Sequence, residues 1–275
     1  MSDNSDMRID PTEQNIALTA DFRLIQKRRG HRYSADDMIV AHLAATRGVT
    51  PSRVLDLGCG LGSVLLITAW AFRQARFVGI EALSEHVEYA RRNVALNHCE
   101  SRIRIVEGDL RDATLLESLG RFDLITGSPP YFLPESGTLC ADPARAAAHF
   151  ELRGGIEDYA KAASAVLAPK GLFVCCAGAT PSQRSAIAFE EARLTMIFRQ
   201  AVLPREDKDP FLLLLVGQKE SGPACVEAEP LILRHADGSR TPEHIAIRKW
   251  TGVTQRKQGK SREKQGDVGT LRTLI

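Results

Sequence analysis

Asp56-Leu57-Gly58-Cys59-Gly60-Leu61-Gly62 sets three glycines at alternate positions between two apolar runs, RVLDLG (53–58) and SVLLITAWAFRQ (63–74). Glycine lets a backbone turn sharply and approach a ligand where a Cβ would clash. A helix that begins just after the turn presents unpaired N–H groups. The pattern departs from the dinucleotide fingerprint GxGxxG, because the last glycine comes one residue early and Ser63 stands in its place. Alone, such a turn serves tight strand-to-helix packing equally well. Two acids change the balance. Glu81, followed by Ala82, ends the next apolar run, where a carboxylate can accept both hydroxyls of a ribose. Asp109, followed by Leu110, ends the run after that, where a carboxylate can take an N–H from an adenine edge. Open α/β sheets bind ligands at the carboxyl ends of their strands, and all three features fall there. They point to a cofactor that contains a nucleoside.

A second group, Ser128-Pro129-Pro130-Tyr131-Phe132, follows the fourth strand-like run and falls on the same sheet edge. Pro-Pro punctuates a strand, so a plain turn accounts for the prolines. It does not account for the aromatic beside the predicted cofactor position. The chemistry that suits the group is transfer to a planar amine. The lone pair of an exocyclic amino group or an amide is delocalised, which makes it a poor nucleophile. Acceptors aimed at its N–H groups favour pyramidal nitrogen and stabilise the developing positive charge. Ser128 Oγ and the Pro129 carbonyl can act so, held by two rigid prolines. Tyr131 offers a face for stacking an unpaired base.

The elements that must position these residues alternate along the chain. Strands are expected at 22–25, 53–58, 75–82, 102–109, 122–129 and 171–178, with helices at 35–47, 63–74, 84–97, 112–119, 156–168 and 181–193. Pro169-Lys170-Gly171 stops the fifth of these helices, and residues 130–150 read as an irregular loop. Two further β-rich runs, 195–203 and 210–217, have a short link that suggests an antiparallel hairpin. The fold class is therefore α/β: a doubly wound, mostly parallel seven-stranded sheet with a C-terminal antiparallel hairpin. Residues 1–21 read as a mobile N-terminus, 22–50 as a lead-in strand and helix, 51–250 as the main domain and 251–275 as a basic, disordered tail. The segment 254–275 carries six basic and two acidic residues and no aromatic ring for base stacking.

Of the 275 residues, 44% are hydrophobic and 25% charged, with a net charge of +2, which excludes a strongly polycationic or polyanionic protein. The longest apolar run, Phe211–Val216, is strand-sized, so no membrane span is expected. An acidic N-terminus and six cysteines without a CxxC pair fit a cytoplasmic, reduced protein. No metal cluster is read, a monomer is expected, and His31 and His149 stand outside any acid–base set. Lys27, Arg28, Arg29 and Arg32 form the densest basic group before the tail, which is either a solvated edge or a patch that could hold nucleic-acid phosphates near the cofactor.

The DLGCGLG turn, Glu81 and Asp109 resemble the cofactor motifs of seven-stranded S-adenosylmethionine-dependent methyltransferases in order and spacing. The resemblance implies that the turn (Asp56, Gly58, Cys59, Gly60, Gly62) approaches the methionine part, that Glu81 holds the ribose and that Asp109 contacts the adenine. SPPY resembles the (Asn/Asp/Ser)-Pro-Pro-(Tyr/Phe) signature of amino-group methyltransferases, with serine in place of the commoner asparagine. The segment Gly30-His31-Arg32-Tyr33-Ser34-Ala35-Asp36 resembles the lead-in of bacterial tRNA adenine-N6 methyltransferases. Asp142-Pro143-Ala144-Arg145 and Pro230-Leu231-Ile232-Leu233 with Thr241-Pro242-Glu243 are similar to later segments of that group. The resemblance implies methyl transfer to N6 of adenine, with RNA, most readily tRNA, as partner. A protein glutamine N5-methyltransferase is the alternative, and a non-catalytic RNA-binding subunit a further one. Only about 50 residues precede the core here, which counts against the glutamine enzymes and their N-terminal helical domain.

Overall fold

Short apolar runs flanked by turns are buried on both sides when they pair in parallel, and here they assemble into one large sheet. The computed structural model describes residues 9–30, 32–131, 151, 154–220 and 222–253. The chain begins with β1 (Glu13–Ala17), β2 (Arg23–Lys27) and α1 (Ala35–Ala45). It continues through β3 (Arg53–Leu57), α2 (Ser63–Ala71), β4 (Arg76–Glu81), α3 (Ser84–Leu96), β5 (Ile103–Glu107), α4 (Ala113–Ser118) and β6 (Phe122–Gly127). Then come α5 (Ile156–Val166), β7 (Leu167–Gly178), α6 (Arg184–Glu191), β8 (Leu194–Leu203), β9 (Leu212–Lys219), β10 (Val226–Ile232) and α7 (Pro242–Trp250).

The large sheet runs β10-β8-β9-β7-β6-β3-β4-β5. Its half from β7 to β5 is parallel, and β9 runs antiparallel to both β7 and β8. The two-residue side-chain period sends neighbours to opposite layers. Val54, Leu124 and Val174 enter the core under α1 and α2, while Leu55, Ile125 and Phe173 enter the core under α5 and α6. The strand order reverses between β3 and β6, so the carboxyl ends of β3 to β6 diverge around a crevice.

The α/β class and the C-terminal hairpin stand as expected, but the described sheet has eight strands rather than seven. The additional strand, β10, pairs parallel to β8 at the edge, and its register shifts between Ala228 and Leu231, on either side of Pro230. An edge strand needs only one apolar face and tolerates proline, which is why VEAEPLI carries so weak a pattern. Pro169-Lys170-Gly171 does not separate helix from strand. The strand begins at Leu167, and the turn is absorbed as an irregularity with Lys170 at φ +59°. Helix α7 carries Pro at its start, and the Thr241 side chain caps it by accepting from His244 N–H.

Residues 13–17 correct the expectation of a mobile N-terminus: they form β1, paired antiparallel with β2. Tertiary contacts decide this. Glu13 is buried, accepting hydrogen bonds from Tyr89 Oη at 2.7 Å and from both terminal nitrogens of Arg92 on α3. Arg92 holds its carboxyl down to about 2. Asn93, one residue on, is 0% exposed. Its Oδ1 accepts from Ile25 N–H at 2.6 Å, and its Nδ2 donates to Ile25 O at 3.0 Å and Leu61 O at 2.9 Å. One amide thereby ties β2 and the glycine turn to α3. His31, Phe132, the segment 142–149 and the tail from 254 onward lie outside the described residues.

Replacing Asn93 by alanine strands three buried backbone groups, each worth about 1–3 kcal/mol. Asn93→Ala is expected to lower stability by roughly 2–4 kcal/mol in urea unfolding. A change below about 0.5 kcal/mol, the scale of an ordinary surface substitution, would show that the amide does not hold these elements together.

Candidate cofactor and acceptor site

The three glycines of the turn have φ of +60° (Gly58), +53° (Gly60) and +86° (Gly62), where side chains are strained. At Gly58 the reason is also steric, because a Cβ there would lie 2.1 Å from Tyr159 Oη. A Cβ at Gly127, at the end of β6, would lie 2.9 Å from Tyr159 Cδ1. Tyr159 of α5 thus fills the space under the turn that two absent side chains leave. Cys59 N–H donates to Ile80 O at 2.9 Å, tying the turn to β4. Its Sγ faces the sheet, where a Cβ at Gly79 would meet it at 2.8 Å. Burial pushes the Cys59 thiol well up, so it stays protonated and the residue contributes backbone.

Four carboxylates converge on the crevice beyond this turn: Asp37, Asp56, Glu81 and Asp109. Glu81 is 7% exposed and accepts from Gly60 N–H at 2.9 Å and Leu83 N–H at 2.8 Å. Each oxygen keeps an acceptor site for a ligand hydroxyl. Asp109 at the end of β5 is engaged by Arg111, whose Nε and Nη2 reach its two oxygens at 2.9 and 2.6 Å. A contact to an adenine edge must therefore be shared with that fork. Asp56 is 1% exposed, its Oδ1 accepts from Thr126 Oγ1 at 2.7 Å, and its Oδ2 is buried without a hydrogen bond of ordinary geometry, with the Leu65 backbone N–H close to the carboxylate. Burial pushes the Asp56 carboxyl up to about 7. Asp37, at the start of α1, accepts from Ser63 Oγ at 2.9 Å, and burial, with Asp36 beside it, pushes its carboxyl up to about 7. A crevice of this charge suits a cationic ligand, and the Asp56 carboxylate keeps acceptor capacity for a ligand donor. The cradle fits S-adenosylmethionine, which carries a sulfonium, an ammonium and ribose hydroxyls.

SPPY leaves the carboxyl end of β6 next to the glycine turn of β3, with Ser128 and Pro130 lining the same crevice and Tyr131 packed against the core cluster rather than lining it. Ser128 Oγ is buried beside the Cys176 thiol without a hydrogen bond of ordinary geometry. Tyr131 is half-buried, and its backbone and Cβ pass so close to Gly178 that a side chain there would approach Tyr131 Cβ to 3.2 Å. Burial, and then Asp36, raise its hydroxyl above the usual tyrosine range.

Of the expected cofactor residues, Asp56, Gly58, Cys59, Gly60, Glu81, Ala82, Asp109, Leu110 and Ser128 line the crevice together. Gly62 instead caps α2 behind it, and Pro129 is buried. Lys27, Arg28, Arg29 and Arg32 do not line it. Lys27 is ion-paired with Glu85, and Arg28 Nε–H donates to Pro11 O at 3.2 Å, bracing the β1–β2 ribbon. Asp37, His86 and Tyr159 also line the crevice, from the helices expected over 35–47, 84–97 and 156–168, as does Ser63 just after the turn. No local pattern in those helices marks the three as site residues.

Two consequences can be measured. Gly58→Ala combines a left-handed φ with the Tyr159 clash and is expected to cost about 2–4 kcal/mol. Tyr159→Phe removes the clashing hydroxyl and should recover part of that loss; strictly additive costs would show that the two residues do not meet. The raised Asp56 pKa means that the folded chain keeps a proton the unfolded chain releases near its ordinary value of 3.8. The ligand-free protein therefore loses stability as pH rises from about 4 to about 7 and levels off above. Asp37 is raised in the same sense, so Asp56→Asn should make that slope shallower in urea titrations with Asp37 carrying the remainder, and an unchanged slope would place the proton elsewhere.

Comparison with known proteins agrees with this geometry. Residues 54–139 match the family model described as "Methyltransferase domain". A tRNA1(Val) (adenine(37)-N6)-methyltransferase of Porphyromonas gingivalis is 32% identical over 214 residues, covering 73% of this chain and 79% of the relative. The Escherichia coli O157:H7 protein of the same name is 26% identical over 231 residues, covering 82% of this chain and 90% of the relative. Among solved structures, a predicted O-methyltransferase from Agrobacterium tumefaciens superposes with a TM-score of 0.60 at 21% identity, covering 81% of this chain and 99% of that one. At that identity the likeness concerns the fold. A 16S rRNA N2 G1207 methyltransferase from Thermus thermophilus, solved with AdoMet and guanosine, gives 0.52 at 20% identity, covering 76% of this chain and 50% of that one. The glycine turn at the carboxyl end of β3, the acids at the end of β4 and just beyond β5, and these relatives together make the chain a member of the S-adenosylmethionine-dependent methyltransferase family that includes the bacterial tRNA1(Val) (adenine(37)-N6)-methyltransferases.

Proposed function

We propose that the chain methylates N6 of an adenine in tRNA. The observation that carries this reading is the shared crevice: Ser128 and Pro130 line it together with the glycine turn, Glu81 and Asp109. The relatives named as tRNA adenine-N6 methyltransferases support the acceptor. When bound, S-adenosylmethionine supplies an activated methyl group on a sulfonium. The turn at Gly58 and Gly60 lets backbone approach its methionine part, Glu81 takes the ribose hydroxyls, and Asp109, with Leu110 beside it, takes the adenine edge.

The acceptor side is the work of SPPY. Ser128 Oγ and the Pro129 carbonyl accept from the two N–H groups of the target amine, which opposes delocalisation of its lone pair and stabilises charge growing on nitrogen. Serine is shorter than asparagine, and its hydroxyl also donates; Ser128 Oγ, beside the Cys176 thiol, would turn from that neighbour to face the amine. Tyr131 stacks on the base and sets the angle of approach, an effect on orientation more than on affinity. Alignment and a pre-set electrostatic field are the protein's contribution.

Tritiated methyl groups from S-adenosylmethionine should appear in tRNA as N6-methyladenosine after digestion. Label in protein alone would instead identify a glutamine amide as acceptor. Asp109→Ala is expected to weaken cofactor binding about tenfold or more, near 1.4 kcal/mol, with a smaller effect on the saturated rate. Tyr131→Ala is expected to slow single-turnover transfer by about 10- to 100-fold at unchanged cofactor affinity. Equal cofactor affinity in the first variant, or an unchanged rate in the second, would overturn that assignment.

A further inference from the structure

The sequence points to Lys27–Arg32 and to the tail as basic patches, but a different group of cations converges in the fold. Arg234 and Arg240, bridged to each other across the turn after β10, meet Arg248 and Lys249 from the end of α7 in one surface cleft. Ser239 and Gly238 form part of its wall. Among the described residues none of the four cations is ion-paired with a carboxylate. The nearby acids are spoken for. Glu206 accepts from Ala236 N–H at 2.9 Å and faces His235 Nδ1 at 3.1 Å, and Asp237 accepts from Ser239 N–H at 2.8 Å. The Nε atoms of both Arg240 and Arg248 are buried without a hydrogen-bond partner. The Arg240 guanidinium is depressed below its ordinary value, first by burial and then by Arg248 and Arg234.

Like charges gathered without a counter-charge repel, and a buried unpartnered N–H carries a further penalty, so an anion placed among them relieves both. Guanidinium forks match the oxygens of a phosphate. The cleft also has a fixed relation to the methyl-transfer site. Helix α7 packs on α1, and Trp250 makes edge contacts with His42 of α1 and Trp70 of α2, at ring separations of 5.0 and 5.6 Å. Tyr33, just before α1, lies within the electrostatic reach of both Arg248 and Asp37, and Asp37 lines the cofactor crevice. The basic cleft and the cofactor crevice are thus borne on helices that pack on one another, α7 on α1.

We propose that Arg234, Arg240, Arg248 and Lys249 clasp a backbone phosphate of the RNA acceptor. The clasp holds the strand in register while the target base enters beside Tyr131. The inference rests on the reading of the chain as a tRNA methyltransferase. Backbone contacts of this kind set orientation and carry little sequence information.

The test compares full-length wild type with Arg240→Gln/Arg248→Gln, and separately with Lys249→Glu at an exposed position that does not challenge folding. Binding of deproteinised bacterial tRNA is measured between 50 and 200 mM salt, alongside S-adenosylmethionine affinity and the steady-state rate. The double variant should bind tRNA about tenfold more weakly, with a salt slope shallower by about 1–2. KM for tRNA should rise with kcat and cofactor affinity retained, and Lys249→Glu should move in the same direction. Unchanged slopes and KM in both variants, with the wild type active on tRNA, would overturn the clasp and leave the proposed function standing. Inorganic phosphate provides the other arm. If the variants lose phosphate binding while tRNA binding is untouched, the cleft is a free-anion site and the RNA clasp is wrong. A wild type that neither binds nor methylates tRNA would overturn the proposed function and the clasp with it.

Discussion

The primary amide of Asn93 is the constraint on which the site's geometry hangs. It satisfies both backbone groups of Ile25 and the carbonyl of Leu61, so a lone side chain on α3 links the N-terminal ribbon to the glycine turn. A glycine-rich loop carries a high entropic cost of ordering, because glycine has the most conformational freedom to lose. Here that cost is met by packing and hydrogen bonds from outside the loop. Asn93 holds Leu61, Cys59 N–H binds Ile80 O, and Tyr159 fills the floor below Gly58. The turn is then pre-formed, and a ligand need not bear its ordering.

With the turn fixed, the electrostatics of the crevice follow. Asp56 sits behind the turn, Glu81 reads it from β4, and Asp37 approaches over Ser63 from α1. Burying so many carboxylates in one place is unfavourable in the absence of a cation, which is why Asp37 and Asp56 are both pushed up to about 7. The cost is the counterpart of selectivity: a ligand with a sulfonium and an ammonium gains most where the protein alone is least comfortable. Elsewhere on the fold, α7 and the turn after β10 gather positive charge. A negative crevice and a separate positive cleft on one fold match the proposed pairing of a cationic donor with a polyanionic acceptor.

Much of this was legible in the chain itself. RVLDLG, ARFVGIEA and FDLITGSP announce buried parallel strands by apolar continuity, and the glycines, Glu81, Asp109 and SPPY mark their carboxyl ends by residue type and spacing. Local pattern suffices for such elements because the burial that makes a strand parallel also makes it apolar throughout. Only the tertiary structure decided the rest. The polar segment 13–17 becomes a strand because Arg92, Tyr89 and Asn93, some 70 residues away, supply partners that no local reading contains. VEAEPLI becomes an eighth strand because an edge needs little apolar surface, and Tyr159 and Asp37 enter the crevice because long-range packing turns them there. Composition and period are properties of neighbours in sequence. Which distant charges share a pocket, and which are left without a counter-charge, is set by chain topology, and that is a property of the fold alone.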